Sequence, residues 1–167
     1  MNAACIDKEL IEAARRTAEA IRKAGFTVVT AESCTGGLVS AALSHAEGAS
    51  EVLHGGFVVY TKDSKAAALG IDKQLLSTQG AVCEEVAAQM ACGALARSPA
   101  TLALSVTGVL GPNPDEDGNP VGRVCFSLCT RDGKPESKTL SYPEDQPDAL
   151  RRCVTLDALN LLRNAVP

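Results

Sequence analysis

The chain has 167 residues, 46% of them hydrophobic, yet only three phenylalanines, two tyrosines and no tryptophan. That length predicts one domain over residues 1–167, burying roughly two-thirds of its unfolded surface in a core of Ala, Val, Leu and Ile. A net charge of −4 and so few rings exclude the basic footprint and stacking platforms of a nucleic-acid binder, and no apolar run reaches the ~20 residues of a membrane helix.

The first element is an amphipathic helix over Asp7 to Lys23, with Leu10, Ile11, Ala14, Ala18 and Ile21 on one face and Gly25 as its stop. Phe26 to Thr30 reads as a short buried strand, and Gly36 to His45 as a small apolar helix closed by Gly48. A second strand, Phe57 to Tyr60, continues from Gly55-Gly56, followed by helices over Lys65 to Leu69, Lys73 to Ser77 and Glu84 to Ala96. Ala100 to Val106 is a third apolar strand. Thr107 to Gly122 is dense in Gly, Pro, Asp and Asn and reads as a long loop, a type that is usually functional or mobile. Val121 to Thr130 and Lys138 to Tyr142 form a hairpin across Arg131 to Lys134, and a last helix runs from Asp145 to Arg163. The alternation predicts an α/β fold: a three-layer α/β/α sandwich with a mixed, mostly parallel sheet of about five strands.

Seven cysteines without a C-x-x-C pair read as small buried hydrophobes, and reduced thiols fit a cytoplasmic protein with no leader sequence. His45 and His54, the two histidines, have no metal-ligand spacing.

Three segments leave the carboxyl ends of parallel strands, where open α/β sheets place their ligand crevice. Ala31 to Gly37, A-E-S-C-T-G-G, turns a strand into a helix that Ser33 or Thr35 could cap. It also gathers a carboxylate, two hydroxyls, a thiol and two glycines able to approach a ligand. His54 to Lys65 delivers Tyr60, Lys62 and Lys65. If Thr61 or Asp63 caps the next helix, Lys65 lies in its first turn, where the helix dipole and burial favour the neutral amine of a general base. A solvated lysine is the alternative. Thr107 to Pro112 brings a hydroxyl and glycines that could close over a ligand, while Asp115-Glu116-Asp117 reads as a solvated turn and not a calcium loop. With no G-x-S-x-G elbow and no histidine suited to a triad, a hydroxyl activated by lysine remains, with Tyr60 as proton relay. Cys34 is the rival nucleophile, its thiol open to activation at a helix N-terminus.

These segments resemble the CinA C-terminal domain family. The resemblance rests on T-A-E-S-C-T-G-G (Thr30 to Gly37), E-G-A-S (Glu47 to Ser50) and G-G-F-V-V-Y-T-K-D-S-K (Gly55 to Lys65). It continues through G-A-V (Gly80 to Val82), S-V-T-G-V-L-G-P (Ser105 to Pro112) and P-V-G (Pro120 to Gly122). It implies deamidation of nicotinamide mononucleotide to nicotinate mononucleotide and ammonia, with a small-molecule nucleotide substrate and no metal or cofactor. Ser33 would be the nucleophile, Lys65 and Tyr60 its activators, and the amides of Thr35, Gly36 and Gly37 the oxyanion hole. Thr107, Gly108 and Gly111 would hold the nucleotide, with Glu32, Gly56 and Arg151 also on the substrate side. A homodimer is the assembly the resemblance suggests. Larger family proteins carry an N-terminal domain, so this chain is expected to be the catalytic domain standing alone.

The sequence departs from the family where Glu144-Asp145-Gln146 replaces Gly-Asp-Arg and Cys83 replaces a serine. If that arginine binds phosphate, Arg151, Arg152, Arg123 or Lys62 would take its place. Two alternatives stand beside the leading reading: an amidase of another amide, and a nucleotide-binding module without chemistry.

Overall fold

The computed structural model describes residues 6–167. Its elements run α1 (Lys8–Lys23), β1 (Val28–Glu32), α2 (Leu38–Ser44), α3 (Ala49–Val52), β2 (Leu53–Val58), α4 (Lys62–Leu69) and α5 (Lys73–Thr78), then α6 (Glu84–Ala96), β3 (Leu102–Gly108), β4 (Arg123–Thr130), β5 (Glu136–Ser141) and α7 (Pro147–Asn164). The five strands form one sheet in the order β2-β1-β3-β4-β5. β1 is parallel to both β2 and β3, and β4 runs antiparallel to β3 and β5. This is the mixed, mostly parallel α/β fold expected.

Side chains alternate across each strand and so build two cores. Val28, Leu102, Leu104, Val106, Val124 and Phe126 pack against α1, α2 and α7. Val29, Ala31, Ala103 and Cys129 pack against α4, α5 and α6. The helices are held by their own termini: Asp7 accepts the Leu10 amide (2.9 Å) to start α1, and Thr61 and Ser64 form a reciprocal capping box at α4.

Several boundaries differ from the sequence expectation. β1 starts two residues later because the Phe26 amide closes α1 onto the Ile21 carbonyl (3.1 Å). It extends to Glu32, a carboxylate in a wholly buried strand. β2 begins at Leu53 and includes Gly55-Gly56, which the absence of side chains made unrecognisable as strand. The long loop begins after Gly108, since Thr107 and Gly108 still pair with Cys125 and Val124. The short α3 carried no periodicity and was not anticipated.

Of the cysteines, Cys34, Cys83, Cys125 and Cys129 are buried as expected, Cys92 is half-buried and Cys153 is exposed, while Cys5 lies outside the described residues. Among the described residues no helix is long and apolar enough to cross a membrane.

β1 lies between two parallel neighbours reached by connections leaving in opposite directions. That is the topological switch point, and the carboxyl ends of β1, β2 and β3 open together there.

Candidate active site

The chain leaves β1 at Ser33, whose amide donates to the Val106 carbonyl of the neighbouring β3 (2.9 Å). A cavity of about 720 Å³ opens beside it, lined by Ser33 and Cys34 after β1, Tyr60 to Asp63 and Lys65 after β2, and Gly108 to Gly111 after β3. Residues from all three segments singled out in the sequence therefore meet at one place.

At its base Lys65 Nζ lies 2.8 Å from Ser33 Oγ, 3.1 Å from the Val59 carbonyl and 3.2 Å from the Tyr60 carbonyl. Lys65 is 1% exposed, and no carboxylate among the described residues is hydrogen-bonded to it. Burial lowers its pKa from the ordinary 10.5 to about 8, with Cys34 the smaller, opposing influence. About a tenth of the molecules then carry the free amine at pH 7. In that form two N–H bonds stay on the two carbonyls and the lone pair is left for the Ser33 hydroxyl proton. The site thus holds a hydroxyl and a desolvated amine within hydrogen-bond distance of each other.

The surroundings of Cys34 disfavour its thiolate. The thiol is 7% exposed, and burial pushes its pKa up to about 12 despite the nearby lysine. Desolvation outweighs the opposing pull of Lys65 and of the local backbone, so burial works against the activation expected of a helix N-terminus.

Glu32 sits behind the turn and not in either cavity around it. It is fully buried and accepts five hydrogen bonds: from Thr30 Oγ1 (3.1 Å), Thr35 Oγ1 (2.7 Å), Val39 N (3.0 Å), Ser40 N (2.8 Å) and Ser40 Oγ (2.7 Å). It caps α2 in place of the Ser33 or Thr35 expected to do so, since Gly37, at φ 94°, occupies the N-cap without a side chain. The carboxylate thereby sets the turn that presents Ser33.

Gly56 is likewise beneath the site. A Cβ there would lie 2.4 Å from Ser40 Oγ and 2.5 Å from Thr30 Oγ1, inside the Glu32 network. Gly56→Ala is expected to destabilise the fold by about 1–3 kcal/mol, a loss that urea unfolding measures directly.

The remaining candidates are distributed around two cavities. Gly108 and Gly111 line the one holding Ser33. Thr107 is buried, its hydroxyl bonded to the Ala81 carbonyl (2.8 Å), where it ties β3 to the segment before α6. Thr35, Gly36, Gly37 and Arg151 line a second cavity of about 790 Å³ on the other side of Cys34 and Tyr60. The Gly36 amide is taken by the Ser33 carbonyl (3.1 Å), whereas the Thr35 and Gly37 amides donate to no described residue. Arg151 reaches the Cys34 carbonyl (3.4 Å) and Asp148 (2.7 Å). Tyr60 touches Lys65 through its main chain only: its ring is 74% exposed at the rim of both cavities, and its hydroxyl bonds no described residue.

Sequence reasoning missed the charged clasp at the cavity mouth. Lys62 Nζ pairs with Asp117 (2.7 Å) and Glu116 (3.0 Å), and Asp117 also accepts the Ala81 amide (3.2 Å). Two residues of the supposed solvated turn thus hold the long loop over the cavity. The loop's own acid-rich composition carried no sign of a partner 55 residues away. Arg152 is engaged by Asp7 and Glu9 on α1 and its N-cap.

Comparison with known proteins places this arrangement. A model of the CinA C-terminal domain matches residues 10–166. The nicotinamide-nucleotide amidohydrolase PncC of Escherichia coli K12 is 37% identical over 93% of this chain and 94% of its own. A CinA-like protein of Mycolicibacterium gilvum is 43% identical over 86% of this chain, which spans about a third of that relative's length (34%). Among solved structures, a competence/damage inducible protein from Agrobacterium tumefaciens is 39% identical with a TM-score of 0.88, covering 94% of this chain and 95% of that one. A CinA superfamily protein from Klebsiella pneumoniae superposes with a TM-score of 0.89 at 29% identity.

Proposed function

The chain belongs to the CinA C-terminal domain family, and we propose that it is an amidohydrolase that converts nicotinamide mononucleotide to nicotinate mononucleotide and ammonia. The observation that carries the reading is the 2.8 Å contact between a buried, largely desolvated Lys65 and Ser33 at the floor of an open cavity. A lysine held by two carbonyls, with no counter-ion among the described residues, has no evident structural use, and its burial costs about 3 kcal/mol at neutral pH.

In this mechanism the neutral Lys65 amine takes the Ser33 proton as Oγ attacks the carboxamide carbon. The oxyanion of the tetrahedral intermediate is met by the main-chain amides of Thr35 and Gly37, the two in that turn that donate to no described residue. Lys65, now an ammonium, returns the proton to the departing nitrogen, which leaves as ammonia, and Ser33 is left as an ester. Lys65 then takes a proton from water, whose oxygen attacks the ester carbon, and Ser33 is regenerated as the acid departs. Tyr60, exposed at the rim, serves by shaping the cavity mouth and by its carbonyl, with its hydroxyl available to a bound substrate.

Lys62 is the cation best placed for the substrate phosphate. Among the described residues it is the one cation besides Lys65 that lines the cavity holding Ser33, and its pairs with Asp117 and Glu116 at the cavity mouth contribute only about 0–1 kcal/mol. Lys62→Ala is expected to raise KM for the nucleotide about tenfold and to leave KM for the phosphate-free riboside unchanged, as steady-state kinetics on both amides would establish. A second reading, an amidase of uncharged amides, draws on the Asp63, Asp115, Glu116 and Asp117 carboxylates around the same cavity. Equal losses on both substrates in that variant favour it. The reading as a whole is tested by ammonia release from nicotinamide mononucleotide without added metal. Tight nucleotide binding with no release from any pyridine amide would leave a binding module instead.

A further inference from the structure

Away from the cavity, on the opposite end of the sheet, two thiols from different elements touch. Cys92 on α6 and Cys129 on β4 lie with their sulfurs 3.5 Å apart, 37 residues from one another in sequence. Cys129 pairs across the sheet with Ala103, near the start of β3, whereas the cavity lies beyond the far end of that strand. The two sulfurs are the sole contact between free thiols among the described residues. Nothing in the proposed hydrolysis uses them.

We infer that Cys92 and Cys129 form an oxidation site, converted by a hydroperoxide into an intramolecular disulfide that clamps α6 to β4. Their exposures assign the order of events. Cys92 is half-buried and meets the oxidant, while Cys129 is 5% exposed and waits behind it. Burial and the neighbouring sulfur hold the Cys129 thiol up at about 11, so it is the poorer first nucleophile. The Cys92 thiol gives up its proton and its sulfur attacks one oxygen of hydrogen peroxide; the O–O bond breaks, that oxygen becomes the hydroxyl of a sulfenic acid, and the second leaves as hydroxide, which takes up the Cys92 proton to give water. Cys129 sulfur then attacks the Cys92 sulfur, the S–O bond breaks, and the departing hydroxide takes the Cys129 proton to leave a second water. Two thiols are oxidised by two electrons and one peroxide is reduced to two waters.

To form the bond the sulfurs must close from 3.5 Å to about 2.05 Å. α6 is already pinned to the sheet at its other end, where Ser105 Oγ bonds the Ala87 carbonyl (2.6 Å), so the bridge adds a second tie without moving the cavity wall at Ala81 and Val82. The expected consequence is therefore reinforcement and not inhibition. A crosslink over this span raises the melting midpoint by roughly 5–10 °C.

The test is brief treatment of the purified protein with hydrogen peroxide, followed by alkylation and peptide mapping without reductant, with melting and any ammonia-releasing activity measured before and after. The inference expects a peptide pair joined at Cys92 and Cys129, a raised midpoint reversed by dithiothreitol, and no such pair in Cys92→Ser or Cys92→Ala. Activity is expected within twofold of the untreated enzyme, and the crosslink forms whether or not the protein proves to be an amidase. Both cysteines still alkylated after treatment, or Cys92 joined instead to the exposed Cys153, would overturn it.

Discussion

Ser33→Ala is expected to lower kcat for ammonia release by about a thousandfold or more while the protein folds and binds the nucleotide as before. Ser33 is 6% exposed and its side chain is small, so alanine leaves no cavity of consequence and the Glu32 network untouched. What disappears is the atom that becomes covalently bound to the acyl group. Melting temperature and nucleotide affinity near wild type, measured beside the rate, separate lost chemistry from lost structure. The same experiment on Cys34→Ala should give at most a modest change, because a thiol held at about 12 is protonated throughout the working range. Reversal of the two results would move the nucleophile to Cys34.

Lys65→Met should cost a comparable factor, about 10³ in kcat/KM, and with a second signature that a serine variant does not share. In the folded protein this lysine loses its proton near pH 8, whereas in the unfolded chain it keeps it to about 10.5. Between those values the unfolded state binds more protons, so the stability of the native protein rises with pH across that window. The penalty is fully present below pH 8 and relieved by 10.5. Methionine fills a similar volume without charge. The variant is expected to lose this rise, and urea unfolding at pH 7.5 and pH 10 would report it. A variant that is inactive yet no less stable at pH 7.5 identifies Lys65 as a group kept for chemistry at a cost in folding.

Much of this was readable from residue pattern. Alternation of apolar runs and amphipathic helices located every strand of the sheet and six of the seven helices, α3 being the exception. The spacing from Tyr60 to Lys65 put the lysine within one turn of a capped helix, and the capping box of Thr61 and Ser64 is what aims it inward. Chain direction alone brought the ends of β1, β2 and β3 to one edge. What pattern could not show was which polar atoms satisfy one another. Glu32 reads as a site carboxylate because a charged residue in a sequence motif looks functional, but the four residues that bond it lie up to eight residues away along the fold of the turn. The resemblance put Gly56 on the substrate side, although the close approach it permits is to Ser40 and Thr30. The clasp between Lys62 and Asp117, and the meeting of Cys92 with Cys129, depend on tertiary contacts that no local period encodes.

The most direct test of the central claim, that the neutral amine of Lys65 activates Ser33, is the pH dependence of kcat/KM for the wild-type protein. The account predicts a tenfold rise per pH unit that breaks near pH 8 and is level above it, set by the desolvated lysine. A profile flat from pH 6 to 10, or one whose break near pH 8 persists in Lys65→Met, would contradict it.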